Sequence, residues 1–577
     1  MSSLKKNVWL YNIMLVIIFI LLALVFIYPF AKTNTIFFSD DMYYHLQRIN
    51  ELVSDYQGKN FFVGIYTSSF NQIGYPLNLF YPWITLVPFV LFSFLVRNQV
   101  MAIYVGIAFY TFLTLIFTYW TTLKFSKNRL QSFATSLIYT FCSYRVIDIF
   151  ARFALGEFLA LTFFPLCAYG LYAVIKGNYK DWPFLAFGMS FVLLSHILST
   201  FINLLFLIAV FIILIIGPVN NIKQRIISLL KSIVVAITSS AIFLFPFLEQ
   251  ELYQQFAQPS KMDMITQALI PSKLVVSSLN NNLGRVDAGN TYNVGFILLI
   301  ILVLGIIKFS TFEKKYKAIF LLSLVLLILT TTLVPWYNIQ KTPLSLIQFP
   351  WRFLGPASYL LSVVGGYEIS LVKENKFGVI SCLLIVVLVP WYAGISNMKN
   401  EINNPDQFMN YHMITYCKQG FLYTKGTKEK IISLYYLDQY TPKKGLSRLE
   451  NVINHQGLVD KKKVTFTNIK AVPNAIEFSS NEFETSSNIV LPMYMYKNLE
   501  AVNGKGKKIN LKTNQYGQVK VVSTLGSPKI KVMYKLSNLD WLSIVLSIST
   551  WSIGILFLIL NLFRNWKEKY DKTSSMG

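Results

Sequence analysis

Apolar runs of 17 residues or more recur along this chain, and such runs can satisfy their backbone groups in lipid only as membrane-crossing helices. Charge supports the same reading: only 14% of the 577 residues are charged, against roughly 25% in soluble domains. The mean hydropathy is +0.49. An ordinary cytosolic enzyme is excluded. The four cysteines (Cys142, Cys167, Cys382 and Cys417) have no metal-ligand spacing, and three lie in apolar segments, so neither a disulfide framework nor a zinc site is indicated.

The apolar pattern predicts spans at 8–30, 100–120, 131–143, 158–175, 183–195, 201–216, 232–249, 293–307, 318–335, 353–372, 377–395 and 541–563. Ile84–Val96 contains Pro88 and is too short to cross about 30 Å of hydrocarbon, so it reads as interfacial or re-entrant. Twelve spans with the N-terminus inside leave 20 Lys and Arg in 67 cytoplasmic residues, against 11 in the 148 residues of the short outside segments. That asymmetry predicts cytoplasmic termini in a multi-pass protein of the bacterial cell membrane. It also places the 31–99 loop, the Tyr144–Glu157 turn, the His196 corner and the 250–292 and 336–352 loops on the outer side.

The expected architecture is therefore a polytopic α-helical membrane domain over 1–395, a β-rich outer domain over 396–539, and a last helix with a basic tail over 540–577. Alternation in Lys529-Ile-Lys-Val-Met-Tyr-Lys-Leu536 and the Asn503-Gly504 turn signal predict an antiparallel, sandwich-like domain. The net charge of +25 is shared between this domain and the cytoplasmic loops. It fits anionic lipid and envelope polymer, not nucleic acid.

Four groups carry chemistry. In Ser39-Asp-Asp-Met-Tyr-Tyr-His-Leu-Gln-Arg48, Ser39 caps a helix and two acids occupy its first turn. Asp41, Tyr44, His45 and Arg48 then share one face, which can hold a phosphate, orient a nucleophile or bind a metal. The alternative is a capped amphipathic helix meeting water. In Tyr144–Glu157, Arg145, Asp148 and Arg152 share a face and Glu157 follows a glycine. Charges at a membrane boundary require pairing or a polar cavity, so this group is either a site or an ion-pair cluster that fixes packing. In Gln348-Phe-Pro-Trp-Arg352, a cation among aromatics grips a phosphate or sugar, or anchors an aromatic belt. His196 stands alone at its corner as a ligand or a packing residue. Glu249, Glu251, Asn280–Asn282, Arg285 and Asp287 form a further polar run, and Glu368 lies near the cytoplasmic end of the tenth span. Phosphate-cradling glycine loops, serine-nucleophile elbows and two-His zinc motifs are absent from the sequence.

In combination these residues resemble a known family. The acid-Tyr-Tyr-His…Arg helix after the first span looks like the first external loop of the GT-C glycosyltransferases. The chain resembles more closely the bacterial YfhO-type proteins, also described as 6-pyruvoyl-tetrahydropterin-synthase-related membrane proteins. The shared elements are the Asp…His-x-x-Arg helix, Gly74-Tyr-Pro…Tyr81-Pro, Arg145-x-x-Asp-x-x-x-Arg152…Gly156-Glu157, the His196 corner and Gln348-Phe-Pro-Trp-Arg352. Over 396–539 the likeness is looser and rests on Leu491-Pro, Asn503-Gly504 and Gly517.

The resemblance implies a polyprenyl-phosphate-sugar donor and inverting transfer to an extracytoplasmic acceptor: a cell-envelope glycan, a teichoic-acid-type polymer or a glycolipid. It implies Asp41 as the acceptor's base, with Asp40 as the second candidate. Arg152 and Arg352 become phosphate ligands, with His45, Arg48, Arg145, Asp148, Glu157, His196 and Gln348 around the donor and membrane lipid in the groove. Met42 replaces the proline of the oligosaccharyltransferase motif, and no Asp-x-Asp follows the third span. A divalent metal therefore remains an open alternative, and no other cofactor is implied. A lipid flippase or transporter and a non-catalytic glycan-binding scaffold are the rival classes, though the charges cluster at one face and not at the bilayer midplane.

Overall fold

The computed structural model describes residues 2–37, 39–284, 292–402, 413–417, 420–423, 437–486 and 488–574. Arg285 and Asp287 of the predicted polar run lie outside the described residues. The chain divides into two compact units. The first comprises 1–61, 82–225 and 258–439, and the second comprises 62–81, 226–257 and 440–577.

The first unit is a helical bundle. Its principal helices are α1 (Ser2–Ala31), α2 (Met42–Gln57), α3 (Gln99–Ser126), α4 (Arg129–Phe141), α5 (Leu155–Ile175), α6 (Trp182–Leu193) and α7 (Ile197–Ile215). They are joined by α10 (Phe296–Ile307), α11 (Lys314–Leu329), α12 (Leu354–Ser370) and α13 (Lys376–Ile402), while α8 (Ile222–Ser239) and α9 (Ala241–Tyr253) lead into the second unit. Polar residues mark the helix ends. The Asn98 and Asn128 side chains accept from the backbone N–H groups of Met101 and Gln131 at the starts of α3 and α4. Buried Thr111 and Thr114 return their hydroxyls to carbonyls one turn back, at 2.8 Å each, so polar side chains survive in an apolar bundle. Helices α5 and α6 approach closely at glycines: a Cβ on Gly170 would stand 2.3 Å from the Leu185 nitrogen.

This is a membrane protein: among the described residues six helices are long and apolar enough to cross a bilayer, or seven if the bent pair α8–α9 is one span. Each of the twelve predicted spans falls on helix. However, those at 131–143, 183–195, 293–307, 318–335 and 353–372 fall on helices of only 13, 12, 12, 16 and 17 residues. Hydropathy averages across breaks that end helices early, such as the extended Cys142 after α4. Ile84–Leu95 forms a short apolar helix, in keeping with its length.

The second unit holds two five-stranded antiparallel sheets, α9 and the last helix, α14 (Asn538–Ser574). The strands are β4 (Gln456–Val459), β5 (Lys462–Thr465), β6 (Ile469–Val472), β7 (Ala475–Ser479), β8 (Ile489–Tyr494), β9 (Leu499–Asn503), β10 (Lys508–Ile509), β11 (Leu511–Thr513), β12 (Gln518–Val521) and β13 (Lys529–Tyr534). One sheet runs β10-β9-β13-β7-β6 and the other β11-β12-β8-β4-β5. In β13 the predicted alternation holds: Ile530, Val532 and Tyr534 are buried between outward Lys529, Lys531 and Met533. The Asn503-Gly504 signal does mark a turn, but a wider one than a two-residue hairpin. The Asn503 carboxamide accepts from Lys505 and Lys507, and the positive φ falls at Gly506.

Where α8 and α9 bend by 72°, helix α14 supplies the missing partners. Ser547 Oγ accepts from the Ile242 N–H at 2.8 Å, and Trp551 Nε1 donates to the Ser239 carbonyl at 3.0 Å.

The boundaries expected at 396 and 540 differ from those of the compact units. Residues 413–417 and 420–423 form β2 (Met413–Cys417) and β3 (Gly420–Tyr423); β2 pairs with β1 (Thr35–Phe37) and β3 with β2, all in the first unit. The stretch 62–81 belongs with the sheets, where the Asn474 carboxamide accepts from Gly64 and Ile65. Hydropathy shows where the chain leaves the apolar helices, but strand pairing across hundreds of residues carries no local signal.

Candidate functional site

The site forms in the first unit, where the chain leaves α4. One short turn, Ser143–Val146, passes into a π-turn, Ile147–Ala151, closed by a bond from Arg152 N–H to the Ile147 carbonyl at 2.9 Å. Phe153 follows with φ +52° before α5 begins. This widened, strained turn carries the Arg152 guanidinium to two carboxylates: Asp148 Oδ1 at 2.5 Å and Glu157 Oε2 at 3.2 Å. The same Glu157 oxygen receives Arg352 Nε at 3.3 Å, while Tyr144 donates its hydroxyl to Oε1.

Arg352 comes from the 3₁₀ turn Pro350–Phe353 at the head of α12. Its Nη1 donates to the Ile347 carbonyl and to Gln348 Oε1, both at 3.0 Å. Gln348 has φ +63°, a second strained backbone at the cluster. Both arginines also lie against aromatic rings. Arg152 stands 4.4 Å from the Trp351 centroid, Arg352 stands 4.8 Å from that of Phe349, and Tyr292 stacks on Trp351 at 3.9 Å. Arg152 Nε makes no hydrogen bond among the described residues, and its nearest acid is Asp40 Oδ2 at 4.0 Å.

Asp41 sits at the N-cap of α2. Its backbone N–H donates to the Arg152 carbonyl at 2.9 Å, which ties the helix start to the strained turn. Ser39 does not cap the helix as expected: it is buried, and its hydroxyl has no hydrogen-bond partner among the described residues. The chain enters α2 two residues later, because the Asp41 carbonyl accepts the first helical N–H, from His45.

Burial pushes the Asp41 carboxyl up to about 6, and the like charges of Asp40 and Glu157 add to the rise. Arg152 and Arg352 work against it. Asp148 is held well above the usual carboxylate range, by desolvation first and then by Glu157. His196 is held down at about 3 by burial and the Arg352 charge, and is therefore neutral. Its Nδ1 lies 2.8 Å from Ser199 Oγ.

His45 is likewise held well below its usual value by burial and Arg48. Arg48 Nη2 donates to the Pro82 carbonyl at 2.5 Å, and Nη1 lies 3.4 Å from His45 Nδ1. These two therefore brace α2, and they couple to the cluster electrostatically through His196.

The structure thus brings Asp40, Asp41, Asp148, Arg152, Glu157, Gln348 and Arg352 together, with His196, His45 and Arg48 behind them. Arg145 is directed elsewhere. It is buried, donates to Thr114 Oγ1 at 2.9 Å and packs on Phe158 and Tyr139, because the π-turn breaks the α-helical face it was expected to share with Arg152. Sequence reasoning gave no role to Tyr144, Trp351 or Tyr292. The first two stand inside the quoted motifs and were legible as neighbours of their arginines, whereas Tyr292 carries no local signal.

Among the described residues no group of three or more His, Cys, Asp and Glu side chains is placed to hold a metal ion. Asp148 and Glu157 are engaged by arginines instead. The arrangement can bind an anion between two guanidinium groups and accept a proton beside it.

The fold and site define a membrane protein with a buried arginine–carboxylate cluster at the helix ends. No family model matches the chain. An uncharacterised protein of Lactococcus lactis subsp. cremoris (strain MG1363) is 22% identical over 621 residues, covering 98% of each chain. Among solved structures, the arabinofuranosyltransferase AftD from mycobacteria aligns at a TM-score of 0.42 and 12% identity. That alignment covers 67% of this chain and 26% of AftD, so the chain matches about a quarter of that protein.

Proposed function

We propose that this protein is a GT-C-type membrane glycosyltransferase that moves a sugar from a polyprenyl-phosphate donor to an acceptor of the cell envelope. The observation that carries the reading is the convergence of Arg152 and Arg352 on Glu157 beside Asp41, a carboxylate whose proton affinity is raised to about 6. A general base works best when its affinity lies near the working pH. The sequence resemblance to YfhO-type proteins supports the same chemistry.

The donor phosphate binds Arg152, whose Nε makes no hydrogen bond among the described residues and lies 4.0 Å from Asp40 Oδ2, and Arg352. Asp41 takes the proton from the acceptor hydroxyl as that oxygen bonds to the anomeric carbon. The anomeric carbon–phosphate oxygen bond breaks with inversion, and polyprenyl phosphate leaves with the electron pair, its charge met by the two arginines. Asp148, Glu157, Gln348, His196, His45 and Arg48 position these groups.

The test is transfer of radiolabelled sugar from polyprenyl phosphate in membranes carrying the protein. Arg352→Lys keeps the charge but loses the planar fork, so the donor KM should rise about tenfold or more with normal protein levels. Unchanged transfer at limiting donor would leave Arg352 as a packing residue.

A further inference from the structure

Away from the arginine cluster the bundle of the first unit is not filled. Between α3, α5, α7, α11 and α12 lies a cavity of about 150 Å³ whose surface is almost wholly apolar. Phe125, Tyr172, Phe206, Leu322, Tyr359 and Val363 stand among its walls. Thr121 also lines it, and its hydroxyl donates to the Phe117 carbonyl at 2.7 Å, so this polar group is already satisfied within α3.

This is a different place from the cluster. On α5, Tyr169 lines the cavity twelve residues beyond Glu157, about 18 Å along the helix. The cavity reaches the helix ends that the lysine and arginine asymmetry assigns to the cytoplasmic leaflet. Phe125 is one residue from the end of α3, and Lys315 is the second residue of α11. Ile213 and Leu214 of α7 and Ala318 and Ile319 of α11 are only half-buried, so the cavity has an edge on the lipid side.

Among the described residues Lys315 is the one charged side chain in the lining. Its ammonium stands 5.4 Å from the Phe125 centroid and 3.3 Å from Glu313 Oε2. Both partners of that ion pair are exposed, and such a pair holds weakly against a competing anion. Lys314 and Lys317 share the first turn of α11 with Lys315, so three cations and a helix N-terminus stand against one acid.

We propose that this cavity lodges one acyl chain of an anionic phospholipid of the cytoplasmic leaflet, with its phosphate at the first turn of α11. An apolar cavity of this size stays dry and takes up apolar molecules. In a bilayer the apolar molecule at hand is a lipid chain, and the lysines select the anionic head group. The bound lipid fills the space between five helices and is not a substrate, so the site does not depend on the transferase reading.

The experiment is a titration of delipidated full-length protein in detergent, read by native mass spectrometry. The probes are phosphatidylglycerol and phosphatidylcholine with identical acyl chains, and thermal melts check folding. The expected result is one phosphatidylglycerol per protein, bound about tenfold more tightly than phosphatidylcholine. A168F and A318F fill the cavity from α5 and α11, and each should weaken phosphatidylglycerol binding about tenfold or more. The surface variant K314Q/K315Q/K317Q should bring the two lipids within about twofold of each other, and it reads the head-group contact even where a filled cavity fails to fold.

Equal binding of the two lipids by the parent, or an unchanged preference in K314Q/K315Q/K317Q, would overturn the proposal. So would unchanged binding in folded A168F or A318F. Displacement of phosphatidylglycerol by an equal amount of polyprenyl phosphate would also overturn it, because the cavity would then belong to the donor's chain. Arg352→Lys should bind phosphatidylglycerol like the parent, so a failure of this site and a failure of the catalytic reading are told apart.

Discussion

Glu157 accepts from two guanidinium groups through one oxygen and from a tyrosine hydroxyl through the other, so removing it leaves two buried cations facing each other. Stripping one partner from a buried ion pair typically costs about 3–5 kcal/mol. Glu157→Ala should therefore lower the amount of folded protein, measured by thermal unfolding in detergent, as well as abolish transfer. The Asp41 carboxyl, at about 6, gives a sharper readout. The base acts when deprotonated, so transfer should rise with pH through about 6. Asp40 contributes to that elevation, and Asp40→Asn should move the acidic limb of the pH–rate profile downward. An upward shift would contradict the charge assignment. Stability runs the other way for this group. Its native affinity exceeds the ordinary 3.8, so the native state loses stability as pH rises from about 4 to about 6. His196, lowered from 6.5 to about 3, costs stability as pH falls through that window.

At the scale of elements, the site depends on backbone that departs from regular helix. The π-turn at Ile147–Ala151, Phe153 at φ +52° and Gln348 at φ +63° place Arg152 and Arg352, and none of the three has a sequence signature. The residue types were legible because charges beside apolar helices need a reason. Their partners were not, since an α-helical wheel puts Arg145 with Arg152 and a π-turn separates them. The same limit explains Ser39, which reads as a cap although α2 begins after Asp41. Strand β13 was legible because one face is buried, and a period of two survives in the local sequence. The close α5–α6 contact yields a separate test. Gly170→Leu places a side chain against the Leu185 backbone and should destabilise the bundle by about 1–3 kcal/mol or more. Gly378→Leu has open space around it and should be nearly neutral, both read by thermal unfolding.

For the whole molecule, the lysine and arginine asymmetry predicts that the loop holding Ser126 is cytoplasmic and the sheets are outside. In a cysteine-free background, a membrane-impermeant thiol reagent on intact cells should label Ser523→Cys and leave Ser126→Cys unlabelled until the cells are opened. Labelling of Ser126→Cys in intact cells would invert the orientation and put the arginine cluster on the wrong face for an envelope acceptor. The central claim is that the cluster transfers a sugar with Asp41 as base. The direct measurement is the turnover of polyprenyl-phosphate-linked sugar by the reconstituted protein, compared among the parent, Asp41→Asn and Asp40→Asn at matched amounts. The account predicts a loss of about 10²–10⁴ in rate for Asp41→Asn with the protein still folded, and a much smaller change for Asp40→Asn. Full turnover in both variants would contradict it.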